Sequence, residues 1–220
     1  MNSLVGAIAA NFMVSYFFGL HHALGMPYDH SFPIYLYWHL VILGIILGLL
    51  GHLYKKGLFG LKKVYLKITW LPRWLHGLIP LALLIPIMYY WPLITGPGNR
   101  LILSLQKMLT QSGWALVGIL AFYYVMRIAF SIISYDSGLP SGIFLPILTM
   151  GALIGATYGT LMVQLGLMPA HLVINLIIFS MAGYFAAIIR APFTAIILIT
   201  EMVGSLLHLM PLAVVAFIAL

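Results

Sequence analysis

The sequence predicts an all-α polytopic membrane protein, and three observations carry that prediction. Only 6% of the 220 residues are charged while 64% are hydrophobic, against roughly 25% charged in a soluble domain. The mean hydropathy is +1.13. The apolar runs approach ~20 residues, the length a helix needs to cross a bilayer, and lack the ~10-residue alternation of barrel strands. In lipid every backbone polar group must find its partner within the chain, so runs of this kind are helices.

The charge pattern gives an orientation. The formal net charge is +7, which in a soluble chain would point to nucleic acid. Here Lys55, Lys56, Lys62, Lys63, Lys67 and Arg73 fall in one stretch with no acid. Residues 55–73 therefore read as a cytoplasmic loop by the positive-inside rule, and contact with anionic lipid is compatible with that. The expected location is a multi-pass position in the plasma (inner) membrane, with lipids and no nucleic acid as partners. There are no cysteines, so neither thiolate nor disulfide chemistry is available.

Residues 2–20 read as a first membrane helix, because no Lys or Arg precedes them and no small-residue cleavage site follows. Residues 21–32 carry His21, His22, His30 and Asp29; too few ligands accompany the histidines for a metal site, and a solvated loop is expected. Residues 33–54 form a second helix with Gly44 and Gly48 spaced for close packing. Residues 74–95 contain Pro80, Pro86 and Pro92 and read as a kinked membrane helix. Residues 96–99 are a turn, and 101–109 are too short to span. Residues 114–134 span, with Arg127 near their end and expected to snorkel.

Residues 137–165 are the centre of the chain. They begin as a Gly/Pro/Ser turn and become a long apolar helix. Ser141 and Gly142 stand where an N-cap belongs, and Pro146 falls in the first turn, where a missing N–H costs nothing. Gly151, Gly155 and Gly159 recur every four residues on one face, the spacing that lets another backbone approach. No charge lies between Asp136 and Arg190. A helix start in apolar surroundings leaves N–H groups without partners at the positive end of its dipole, and so can hold an anion with backbone alone. The ordinary alternative is a start closed by its own serine.

Residues 171–189 form the next helix, ended by Arg190, and Pro192 opens another. Residues 194–207 include Glu201, eleven positions from Arg190. That is about three turns, too far for contact within one helix, and a structural hydrogen bond is the expected role. Residues 212–220 begin a last helix. Several of these segments are short or Pro-interrupted, as in transporters and channels whose sites lie between discontinuous helices.

Two blocks carry a family resemblance. Gly142-Ile143-Phe144-Leu145-Pro146 matches G-x-F-x-P in full, and Arg190-Ala191-Pro192-Phe193-Thr194 leading to Glu201-Met202 resembles R-A-P-[LF]-T…E-M. In these blocks, and from about residue 114 to the C-terminus, the chain resembles the chloride channel and chloride/proton exchanger family (CLC), which includes voltage-gated channels and antiporters. The first hundred residues resemble it only in helix pattern.

The resemblance implies a CLC-type fold, with residues 1–220 one transmembrane domain: a preceding helix plus most of the second inverted repeat, with broken and re-entrant helices. It implies a transported chloride, no cofactor, no metal, no catalytic residue and no enzyme activity. The N–H groups of Ile143 and Phe144 would face the anion. Gly142 would let it approach, Pro146 would fix the helix start, Phe144 would shape the passage, and Ser141 completes the turn. A homodimer is implied as well, its interface drawn from 2–20, 192–207 and 212–220, with Phe193, Ile197 and Leu209 as candidates. The first-repeat serine turn, the G-[KR]-E-G-P segment, the central tyrosine and a cytoplasmic nucleotide-binding tail are not found in the sequence. The missing N-terminal half is therefore an expected partner. Channel and exchanger both stay open, as do chloride and fluoride. The rival readings are a non-conducting half-subunit and, remotely, an intramembrane hydrolase using Ser141 with His171 or His208. The latter lacks any G-x-S-x-G spacing.

Overall fold

In a computed structural model of the chain, the described residues are 2–19, 31–67, 72, 75–96, 98–109, 113–137, 142–206 and 208–220. Among them the regular structure is helical: α1 (Asn2–Phe18), α2 (Tyr37–Lys67), α3 (Leu78–Tyr90), α4 (Asn99–Met108), α5 (Trp114–Asp136), α6 (Phe144–Gln164), α7 (Val173–Ile189), α8 (Pro192–Val203) and α9 (Leu209–Ile218). Short 3-10 turns at Ile34–Leu36 and Ala170–Leu172 lead into α2 and α7. The stretches Ile34–Leu61, Trp114–Tyr135, Phe144–Gln164 and Ala170–Ile189 are long and apolar enough to cross a membrane. The histidine-rich segment lies outside the described residues.

Helix α7 is the hub. It is buried along nearly its whole length and packs against α6, α2, α8 and α9. The glycines singled out in the sequence are what allow this. A Cβ on Gly155 would stand 2.6 Å from the Leu176 carbonyl oxygen and 2.8 Å from Ile177 Cα. One on Gly151 would stand 2.8 Å from the Ser180 carbonyl oxygen, and one on Gly159 2.8 Å from Val173 Cγ1. Gly44 and Gly48 do the same for α2 against α9 and its end, where a Cβ on Gly48 would stand 3.0 Å from the Ala219 carbonyl oxygen. Buried hydroxyls at the α6–α7 contact turn back onto their own helices: Ser180 donates to the Leu176 carbonyl at 2.6 Å and Thr160 to the Ala156 carbonyl at 2.7 Å.

Three boundaries differ from expectation. The basic stretch is not a loop as far as Lys67, because α2 runs on through it. Tyr54, Leu58 and Tyr65 keep a buried stripe at helical spacing, and the Tyr65 hydroxyl donates to the Ile133 carbonyl at 3.0 Å. Lys55 bends back to donate to the Ala187 carbonyl at 2.8 Å, near the negative end of α7; Arg73 lies outside the described residues. Helix α3 covers only the middle of its predicted span: Pro80 sits in its first turn, Pro86 inside it, and Pro92 beyond its end. The last helix starts at Leu209, earlier than the apolar run suggested.

Elsewhere the punctuation acts as expected. Arg190 ends α7 in a left-handed conformation (φ 59°), its N–H donating to Ala186 at 2.8 Å. Pro192 then opens α8 at the position where no N–H is needed.

Gly155→Ala should lower the melting temperature in detergent, since overpacking a close contact costs ~1–3 kcal/mol. Gly118→Ala, where a Cβ meets nothing within 4 Å, should leave it unchanged or raise it. Equal melting temperatures for the two variants would contradict the backbone contact.

Candidate anion site at the start of α6

Ile143 is the N-cap of α6, with no side-chain cap hydrogen bond, and its carbonyl accepts the first intrahelical bond from the Ile147 N–H at 3.1 Å. This moves the cap one residue past Gly142. Pro146 has no N–H to offer. Among the described residues nothing accepts a hydrogen bond from the N–H of Ile143, Phe144 or Leu145. No described group thus closes the positive end of this helix. Gly142 is exposed, Ile143, Phe144 and Pro146 are half-buried, and Ser141 lies outside the described residues. The Phe144 ring meets Phe185 of α7 edge-on, with centroids 5.6 Å apart. The ring is thus held by the same helix that the glycines bring close.

Behind this start lies a cavity of about 180 Å³, lined by Pro146 of α6, Arg127, Ser131 and Ser134 of α5, and Ile94, Thr95 and Gly96 of the α3–α4 connection. Arg127 does not snorkel. It is only 5% exposed, and its guanidinium donates to the Ile94 carbonyl. The connection closes over it, and Gly98, which precedes α4, makes this possible: with φ at 101°, a Cβ there would stand 1.9 Å from Thr149 Oγ1 and 2.9 Å from Arg127 Nη2. Ser131 is in turn bonded to the Tyr54 hydroxyl of α2 at 2.7 Å.

Among the described side chains no carboxylate lies in this region. The chain has three Asp and Glu residues in all. Asp29 lies outside the described residues. Asp136 is nine positions beyond Arg127 on α5, about 13.5 Å along the helix axis. Glu201 is exposed and makes no hydrogen bond among the described residues, against the expectation of a structural one. The buried face of α8 is formed by Ala195, Ile196, Ile199 and Val203, which turns Glu201 outward.

Phe193 and Ile197 share that outward face, 69% and 70% exposed, and Leu209 is 47% exposed. The Phe193 ring meets Phe217 of α9 edge-on at 5.3 Å, so α8 and α9 present one continuous apolar surface. His208 is buried against Phe179, and His171 is exposed. Sequence reasoning missed two polar ties of α2, Tyr54 to Ser131 and His39 Nδ1 to the Tyr158 hydroxyl at 2.9 Å. The partners are 77 and 119 positions apart in the sequence, and only helix pairing brings them together.

A bundle of long apolar helices, interrupted beside an open helix start, defines an integral membrane protein of the channel and transporter class. The chain belongs to the voltage gated chloride channel family, whose family model matches residues 1–220. It is 32% identical over 189 residues to the H(+)/Cl(-) exchange transporter ClcA of Cronobacter sakazakii (strain ATCC BAA-894), covering 83% of this chain and 38% of that protein. Its fold is similar to that of a slow cyanobacterial Cl-/H+ antiporter, with a TM-score of 0.81 and 25% identity over 97% of this chain and 49% of the other. A CLC-type fluoride/proton antiporter shares the fold at a TM-score of 0.75 and 21% identity, over 98% of this chain and 51% of the other. The chain thus spans 38% of the length of the exchange transporter and about half of each solved structure.

Gly98→Ala should destabilise the protein more than Gly96→Ala. Both positions have positive φ, which costs a side chain ~1–2 kcal/mol, but a Cβ on Gly96 meets nothing within 4 Å. Thermal unfolding of the two variants in detergent measures the difference, and a larger loss for Gly96→Ala would contradict the packing of Gly98 on Thr149.

Proposed function

We propose that the chain is the second-repeat half of a chloride transport pathway and holds the anion with the N–H groups of Ile143 and Phe144. The observation that supports this best is the start of α6, which offers backbone donors that no described side chain caps. Backbone suits a transported ion: a fixed Lys or Arg in direct contact would slow its release. Gly142 leaves room for the approach, Pro146 removes a donor that would turn inward, and Phe144, braced on Phe185, shapes the passage. Ser141 belongs to the same turn. The relatives named as H(+)/Cl(-) and Cl-/H+ exchangers favour chloride and coupling to protons. The chain spans about half of each solved relative, so conduction requires the other half of the pathway as well, and Lys55, Lys56 and Lys67 face the cytoplasmic side of the plasma membrane.

Chloride efflux from liposomes tests this. The purified chain alone should be silent, and co-reconstitution with the N-terminal half of a family relative should restore efflux that Phe144→Ala alters several-fold. Efflux from the chain alone would remove the need for a second half. Silence in both preparations would leave a non-conducting half-subunit. Ser141→Ala should change only the apparent chloride affinity; an esterase activity that this variant abolishes would instead identify a hydrolase.

The same reading pairs two copies through α8 and α9, with Phe193, Ile197 and Leu209 at the interface. The absence of cysteine makes the test direct. Ile197→Cys should give a dimer band under oxidation in membranes, and Leu49→Cys, exposed on α2, should not. Equal cross-linking of both would count against this surface.

A further inference from the structure

We propose that the cavity beside Arg127 is a second anion site, which takes a small monovalent halide with Arg127 as its charge and Ser134 and Ser131 as hydroxyl donors. Arg127 is 5% exposed and carries five N–H donors, yet its hydrogen bond among the described residues is a single one, to the neutral Ile94 carbonyl. A cation buried in a membrane helix without a counter-charge is costly. Among the described side chains no carboxylate supplies that counter-charge: Glu201 is turned outward on α8.

The cavity has both the room and the chemistry to supply it. Its volume is about 180 Å³, where one water in the liquid occupies about 30 Å³, so a halide fits together with part of its hydration shell. The hydroxyls can be assigned one by one. Thr95 already donates to the Pro92 carbonyl at 2.8 Å and is not available. Ser134 has no hydroxyl partner among the described residues. Ser131 shares a 2.7 Å bond with Tyr54 in which either oxygen can donate; when Tyr54 donates, the Ser131 O–H is free to point at an anion. Among the described lining residues there is no carboxylate to compete with an anion. Because Pro146 forms part of the wall, an ion there lies within one turn of the α6 start and adds to the local store of anions. Either site can be filled while the other is empty, so this inference does not depend on the proposed transport role.

Anomalous diffraction from crystals of the full chain grown in sodium bromide tests it, with the chloride dependence of the melting temperature as a solution readout. The expected result is a bromide peak between Arg127 and Ser134. Chloride should also raise the melting temperature of the native chain, and that rise should shrink several-fold in Ser134→Ala and survive in Phe144→Ala. Arg127→Lys, which keeps the charge, should keep the peak; if Arg127→Met fails to fold, Ser134→Ala carries the test alone. A peak only at Ile143 and Phe144 would overturn the second site and leave the first, and a peak only in the cavity would do the reverse. Density for a lipid phosphate in the cavity would also overturn a halide site. Bromide there with a chloride-dependent rise that Ser134→Ala leaves unchanged would mean an adventitious ion only.

Discussion

The approach of α6 to α7 at backbone distance is the constraint on which the rest of this structure depends. In lipid the hydrophobic effect does not drive helices together, and association rests on close packing and polar contacts. Gly151, Gly155 and Gly159 remove the side chains that would keep the two helices apart. Once α7 is seated there, it carries Phe185 to Phe144 and offers its other faces to α2, α8 and α9. The start of α6 is therefore held by contacts along the helix behind it.

Positive charge is handled by carbonyl oxygen at two places in the described chain. Lys55 reaches the Ala187 carbonyl near the end of α7, and Arg127 reaches the Ile94 carbonyl of the connection that covers it. A carbonyl dipole eases the burial of a cation without neutralising it. The dipole of α6 adds a partial positive charge at its start.

The polar ties between helices follow the same economy. Tyr54 meets Ser131, Tyr65 meets the Ile133 carbonyl, and His39 meets Tyr158. Each links α2 to α5 or α6 at a depth where an unpaired group would be costly. They also explain why α2 continues through its lysines: its buried stripe has partners on α5 beyond the point where the charge pattern suggested a loop.

What the sequence determined by itself is what depends on local rules. Apolar run length placed most of the helices, glycine spacing announced close packing on one face of α6 and of α2, and Arg190 and Pro192 marked the break between α7 and α8. The motif Gly142 to Pro146 located the candidate anion turn. Tertiary structure decided what depends on who stands opposite. The run from Lys55 to Lys67 became helix because Tyr54 and Tyr65 found partners on α5 and Leu58 a place in the core. Arg127 was buried because a distant connection, shaped by Gly98, closed over it, and Glu201 faced outward because the opposite side of α8 met α7 and α9. The physical reason is range: periodicity and capping act within a few residues, whereas the burial of a charge is set by surfaces that the chain brings together only on folding.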